Sequence, residues 1–320
     1  MSLRPSTSSS AGLRVSTTPV ASAVRVASVA MLLVLATPSL ARAQACCAGG
    51  SAITPGRLEA HETALVGVEL RAASVLGSYD SGGHYAGSPS GDTEFDLEQD
   101  IFGAVRVLGR GQVALLVPIV ETRRQAADLS RFGGGVGDVN ASLRYDFISA
   151  GESRYVPGVA LLVGVTAPTG TAPESATAPL AVDATGIGAW QTNLALALEQ
   201  TYGSWFVNAT AIVAKRTPRF GQTLGTQVTL LAAGAYTFDN DMAVALSVSY
   251  AFEGDATDSN GNDVSFSSKR LTSVSASYLW PIDDTWRLLG SVFVEPPLSH
   301  IGSNQPASSG LTLTVIRSWS

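Results

Sequence analysis

From residue 62 onward the chain alternates apolar and polar residues with period two, in segments of about 10 to 15 residues. Successive side chains of a β-strand point to opposite faces, so such a segment carries one apolar and one polar face. In 242–253, Met242, Val244, Leu246, Val248, Tyr250 and Phe252 share one face. Ala243, Ala245, Ser247, Ser249, Ala251 and Glu253 share the other. Segment 139–147 sets Val139, Ala141, Leu143, Tyr145 and Phe147 against Asn140, Ser142, Arg144 and Asp146. Strands of soluble sandwiches are shorter, near 5 or 6 residues. Strands of this length with an apolar outer row fit a wall that faces lipid.

Twelve such segments are predicted, at 62–78, 93–109, 111–125, 134–149, 153–166, 186–201, 202–215, 223–238, 241–254, 266–280, 284–297 and 308–320. An even count suits a closed antiparallel barrel. The predicted connections alternate in length. Short ones sit at Gly109–Gly111 (109–111), 150–152, 202–203, 239–241 and 281–284; long ones sit near 79–92, 126–133, 167–185, 216–222, 254–265 and 298–307. Aromatics gather toward the short-turn ends (Tyr145, Phe147, Tyr155, Trp205, Tyr236, Phe238, Tyr278, Trp280, Trp286, Trp319) and the long-loop ends (Phe95, Trp190, Tyr250, Phe252). Two aromatic belts at the two membrane interfaces are expected of such a barrel. Arg317 interrupts the last outward row, and either snorkelling or a bulge would accommodate it.

The N-terminus reads as an export signal. Arg4, Arg14 and Arg25 precede an apolar run over 26–36 that is too short to span a bilayer as a helix. Ala43 and Ala45 place cleavage before Cys46. Residues 1–45 are therefore expected to be a signal peptide, 46–61 a periplasmic leader or plug, and 62–320 the barrel. The fold class is all-β, a transmembrane up-and-down antiparallel barrel of about twelve strands in the bacterial outer membrane. Vicinal Cys46 and Cys47 read as an exposed pair; lipidation of Cys46 is the alternative.

The inward rows are of mixed polarity. Glu69, Arg71, Asp96, Glu98, Asp100, Phe102, Arg106, Leu116, Arg144, Asp146, Glu199, Phe293 and Glu295 are the candidate lumen-lining residues. The inward charges also include Arg287, and Leu65, Leu162, Phe206, Ile212, Leu231 and Leu289 complete the apolar share. Asp96, Glu98 and Asp100 place three acids on one strand face, which favours cations or neutral solutes.

No catalytic, metal or cofactor site is predicted. His61, His84 and His300 are the only histidines. None stands in the His-x-Ser-Asn arrangement of barrel phospholipases, and His84 near Asp80 and Asp92 is a faint echo of a barrel protease. The glycine run 133–137 lacks the lysine and helix of a phosphate loop.

That run carries a different likeness. Gly135-Val136-Gly137-Asp138-Val139, leading into Tyr145-Asp146-Phe147, resembles an element of the outer-membrane transporters of the MetA-pathway phenol-degradation family. Leu116-Val117-Pro118-Ile119 resembles the element that precedes it, with Ile119 where the family has an aromatic. Pro168-Thr169-Gly170 and Gly186-Ile187-Gly188-Ala189-Trp190 resemble the two that follow. The resemblance implies passive transport of small aromatic or apolar solutes, with Gly135, Gly137, Asp138, Pro168, Gly170, Gly186 and Gly188 as its motif residues. The expected partners are the lipid bilayer, a small solute and the outer-membrane assembly machinery; no nucleic acid is expected, and a monomer is. A surface-interaction barrel with a packed lumen is the rival reading, and an outer-membrane hydrolase a more distant one.

Overall fold

The computed structural model describes residues 56–320. The expected signal peptide, Cys46, Cys47 and leader residues 46–55 lie outside them. The described residues form a closed antiparallel sheet of twelve barrel strands, with a short strand Tyr85–Gly87 added to it and a two-residue ladder between loops 222–223 and 257–258. In chain order the twelve are β1 (Ala64–Tyr79), β2 (Thr93–Val107), β3 (Gly111–Ala126), β4 (Leu129–Val136 and, after a break, Val139–Ile148), β5 (Gly158–Ala167) and β6 (Gln191–Tyr202). They continue as β7 (Trp205–Arg216), β8 (Gln227–Thr237), β9 (Ala243–Glu253), β10 (Lys269–Pro281), β11 (Trp286–Val294) and β12 (Pro306–Trp319). Each pairs with its neighbour in sequence. β12 pairs with β1 from Ala64↔Trp319 to Ser78↔Pro306, with one register shift between Val75 and Gly77.

Closure satisfies the edge N–H and C=O groups of the first and last strands, which hydrocarbon cannot solvate. The outward rows then meet lipid. Val66, Val68, Ile101, Val113, Leu115, Leu194, Leu196, Leu246, Val248, Val292 and Leu311 are all exposed, and they recur around the whole wall. Such a girdle on a water-soluble monomer would be an aggregation surface. On a barrel in a bilayer it is the solvated face. At the short-turn end Tyr145–Phe147, Trp205–Tyr236 and Tyr236–Phe238 pair edge to face at 5.0, 5.0 and 5.2 Å.

Two connections differ from expectation. The long loop expected at 126–133 is a two-residue turn at Ala127 and Asp128, because β4 resumes at Leu129 and pairs with β3 down to Ile119↔Val136. Gly134 and Gly135 lie in strand as expected, and so does Gly133, expected in the loop: a Cβ on Gly133 would fall 2.7 Å from Val182, whose loop packs against it. Conversely, the connection expected at 150–152 runs from 149 to 157. Pro157 has no N–H to add to a ladder, and Gln200 Nε2 holds the loop by donating to the carbonyls of Ser153 and Arg154 at 2.9 and 3.1 Å. Strict alternation of loop length therefore breaks at these two places.

Arg317 stays on the outward row. It pairs with Val66 and Trp286 in unbroken register, so no bulge turns it inward.

The lipid-facing row yields a direct expectation. Leu246→Arg should destabilise the folded barrel by about 2–4 kcal/mol, the cost of a mid-membrane guanidinium on the lipid face. Ser247→Arg on the neighbouring inward position should cost less. Denaturant titration in phospholipid vesicles checks this, and equal losses would contradict the assignment of faces.

Candidate functional site

The lumen has two levels, and the lower one is filled by the chain itself. Residues 56–62 enter the short-turn mouth instead of continuing away from it. Leu58 is buried with Leu65, Phe102, Ala104 and Ile316, against partly buried Ala114 and Leu116. Gln112 clamps the segment's backbone: its Oε1 accepts the Leu58 N–H at 3.0 Å and its Nε2 donates to the Gly56 carbonyl at 2.9 Å.

Charge fixes both ends of this segment. Arg57 reaches across to Glu199 on β6 at 2.5 Å and lies over the Phe206 ring at 5.5 Å. Glu199 also accepts from Arg144 at 3.0 Å and Asn208 at 3.2 Å, while Arg144 bonds Asp146 at 2.7 Å. Nearer the β1–β12 seam, Arg287 pairs with Glu62 at 2.6 Å and Glu59 at 3.2 Å. Arg106 donates to the carbonyls of Glu62, at 2.7 Å, and of Glu59. The arginines and carboxylates of this level balance as Arg57, Arg106, Arg144 and Arg287 against Glu59, Glu62, Asp146 and Glu199. Buried charges persist only when paired in this way.

The upper level is asymmetric. On β1–β3, Glu69 accepts from Thr314 at 2.8 Å, Asp96 accepts from Thr122 at 2.8 Å, and Glu94 pairs with Arg124 at 2.8 Å. Arg71 lies over the Phe293 ring at 4.6 Å and meets Glu98 at 3.5 Å. Asp100 stands opposite Glu69 in the strand pairing. Across the lumen the wall is of small hydroxyls and aliphatics, and above them Arg216 pairs with Glu253 at 2.5 Å, with Lys269 3.6 Å from the same carboxylate. Ser247 and Ser275 bond each other at 2.6 Å, as do Ser291 and Thr312, and Leu231 is buried nearby on β8. Glycine sets the position of two lumen aromatics. A Cβ on Gly67 would fall 2.4 Å from Phe102, and one on Gly310 would fall 2.8 Å from Phe293, so each ring lies flat on bare backbone.

Twelve of the thirteen candidate residues stand on inward rows, in different roles, and Glu295 lies just past the end of β11. Phe102, Leu116, Arg106, Arg144, Asp146 and Glu199 build the lower level; Glu69, Arg71, Asp96, Glu98, Asp100 and Phe293 lie in the upper one. Glu295 takes both the N–H and the hydroxyl of Ser308 at 2.7 Å and is tied to the wall. Sequence reasoning missed Leu58, Gln112 and Asn208. The alternation of charge in Arg57, Glu59 and Glu62, close before the first strand, was the available signal.

The family-like motif residues gather at the outer rim. Asp138 breaks β4 and accepts the N–H of Gly170 at 2.9 Å and of Ile187 at 2.6 Å, drawing the 168–190 loop onto the wall. Thr169 donates to the Gly137 carbonyl at 2.6 Å. A Cβ on Gly186 would fall 2.3 Å from Asp138, and one on Gly170 would fall 2.8 Å from the Gly186 Cα. Gly188, with φ +75, completes the turn, and Pro168 opens the loop directly after β5. Gly135 has room for a side chain, and nothing in the structure explains it. At the same rim His84 meets Asp80 at 3.2 Å and the His300 ring at 5.4 Å, tying the β1–β2 and β11–β12 loops together.

Comparison with solved structures agrees with this architecture. The chain is similar to the COG4313 outer membrane channel from Pseudomonas putida F1, with a TM-score of 0.67 at 14% identity over 83% of this chain and 98% of that one. The chain folds as an outer-membrane β-barrel. A weaker likeness is to the translocator domain of the autotransporter NalP from Neisseria meningitidis, with a TM-score of 0.47 at 8% identity over 85% and 92% of the two chains. No family model and no curated protein matches the sequence.

The lower level of this barrel should respond to acid. Burial raises the Glu62 carboxyl, but the Arg287 hydrogen bonds and charge, with the Glu59 N–H and Ser318 hydroxyl, outweigh that and hold it below its usual value. A depressed carboxylate adds stability above its unfolded pKa, and loses it as pH falls through the folded one. Glu62→Gln should therefore cost about 3 kcal/mol at pH 7, with the gap to the parent closing below about pH 4. Denaturant midpoints of both proteins across pH check this; a constant gap would contradict it.

Proposed function

We propose that this barrel is an outer-membrane channel that passively moves small solutes, and that residues 56–62 are its removable stopper. The observation that carries the reading is the contrast between the two levels. Below, charges are matched and donors are spent on holding one short segment. Above, the charged inward residues of β1–β3 beyond Phe102 are five acids, Glu69, Glu94, Asp96, Glu98 and Asp100, against the two arginines Arg71 and Arg124. Surplus acid on this wall, facing hydroxyls and aliphatics topped by the Arg216–Glu253–Lys269 cluster, supports passage of cationic or neutral solutes with an apolar part. Aromatic or apolar solutes are further favoured by the resemblance to the MetA-pathway phenol-degradation family. No nucleotide-binding element is needed, since flux follows the gradient. The barrel works as a monomer after insertion by the outer-membrane assembly machinery.

The buried stopper also favours a second reading, a barrel with a permanently packed lumen that serves surface interaction. Planar-bilayer recordings separate the two. Arg57→Ala leaves Glu199 paired with Arg144 and Asn208, so the wall keeps its partners while the stopper loses its far anchor. Open probability should rise several-fold, and the reversal potential in a salt gradient should show cation preference, weakened by Asp96→Asn combined with Glu98→Gln. Absence of conductance in both the parent and Arg57→Ala, with no liposome swelling, would overturn the channel reading.

A further inference from the structure

Arg317 stands on the lipid-facing row of β12, two residues from the end of that strand, between Trp286 and Trp319. Its guanidinium lies 5.5 Å from the Trp286 ring and 5.0 Å from the Trp319 ring. Both indoles lie within cation–π reach, and contact of this kind restricts a long side chain that would otherwise be mobile. Among the described residues no carboxylate or carbonyl accepts a hydrogen bond from it. Asp283 interacts with it through charge alone: its Oδ1 takes the N–H groups of Thr285 and Trp286 at 2.7 and 2.8 Å and the Thr285 hydroxyl, and these bonds, with the Arg317 charge, hold its carboxyl below the usual value. A planar cation with no hydrogen bond to the described residues thus stands on the outward row at the short-turn interface, where the periplasmic leaflet places its headgroups.

The wall beside it has a matching hollow. From Arg317 the outward row of β12 runs toward the membrane centre through Val315, Leu313 and Leu311. Leu313 pairs with Gly290 of β11, and Gly290 pairs in turn with Tyr278 of β10. A Cβ on Gly290 would meet nothing within 4 Å, so the wall is open at that point between Leu313 and Tyr278. Gly290 therefore marks a gap in the apolar row, on the membrane side of the cation.

We propose that this is a phospholipid site. The Arg317 guanidinium, held between Trp286 and Trp319, donates to the headgroup phosphate, and one acyl chain lies over Gly290 between Leu313 and Tyr278. Planar guanidinium donors match phosphate oxygens bidentately, and this contact satisfies donors that the protein leaves open. The site is separate from the lumen and does not depend on whether the barrel conducts.

The test is lipid retention by the full chain, purified from membranes in mild detergent and analysed by native mass spectrometry and phosphorus quantification. The parent should retain phospholipid, and Arg317→Gln should lower retention about tenfold, consistent with loss of a charge-assisted phosphate contact. Arg317→Lys, which keeps the charge without the planar fork, should fall between them. Equal retention by the parent and Arg317→Gln would overturn the site. Should Arg317→Gln fail to fold, Gly290→Leu fills the hollow with the cation intact and should lower retention several-fold; unchanged retention would overturn the site as well. Inorganic phosphate added to the parent should leave the lipid in place, and displacement by phosphate alone would overturn the assignment to a lipid.

Discussion

Everything in this molecule depends on the seam between β1 and β12. A sheet in hydrocarbon cannot leave an edge unpaired, because each orphaned N–H or C=O costs several kcal/mol. The pairing from Ala64↔Trp319 to Ser78↔Pro306 removes both edges at once. It also sets where the preceding chain goes. Thr63 N–H bonds the Trp319 carbonyl at 2.7 Å, and the Arg106 N–H bonds the Thr63 carbonyl at 2.7 Å, so the chain is fixed at the rim just before the first strand. From that point Leu58 has an apolar cluster within reach inside the mouth, made of residues from β1, β2 and β12. The stopper is a consequence of closure, because its binding surface does not exist until the seam forms.

Closure also divides the side chains into two solvents. The outward row answers to lipid and is uniform. The inward row answers to water, to the stopper and to its own neighbours, and so it is heterogeneous. In the lower level four arginines and four carboxylates are consumed in holding a segment. In the upper level an acidic wall faces serine and leucine beneath the cluster of Arg216, Glu253 and Lys269. Glycine mediates the tightest places in both: Gly67 beneath Phe102 in the lower level, Gly310 beneath Phe293 in the upper. At the rim Asp138 does for the 168–190 loop what Glu199 does for the stopper, gathering donors from distant parts of the chain to one carboxylate.

The fold was legible because a barrel strand repeats one simple rule. The period-two rows of β9 and β4 are readable residue by residue, and the strand count follows from them. The inward direction of Glu69, Asp96 and Glu199 follows from the same rule, since register fixes facing once one residue is placed. What escaped was everything aperiodic. Gly133 looked like a loop residue because its strand role depends on Val182 packing from a distant segment. The partners of Arg57 and Arg287 lie 142 and 225 residues away, across a lumen that no local pattern describes. Gln112 is an ordinary polar inward residue until the segment it holds is in place, and Asn208 until Glu199, the anchor of that segment, is beside it. The side chains facing the lumen were visible in sequence, and their pairing was not.

The central claim is that residues 56–62 sit inside a closed twelve-stranded barrel. Disulfide formation in native outer membranes tests it most directly, using Leu58→Cys with Ala104→Cys in a chain whose Cys46 and Cys47 are replaced by serine. The account predicts that the pair crosslinks within one chain and that Leu58→Cys alone is shielded from a membrane-impermeant maleimide. Rapid labelling of Leu58→Cys, with no crosslink to position 104, would contradict it.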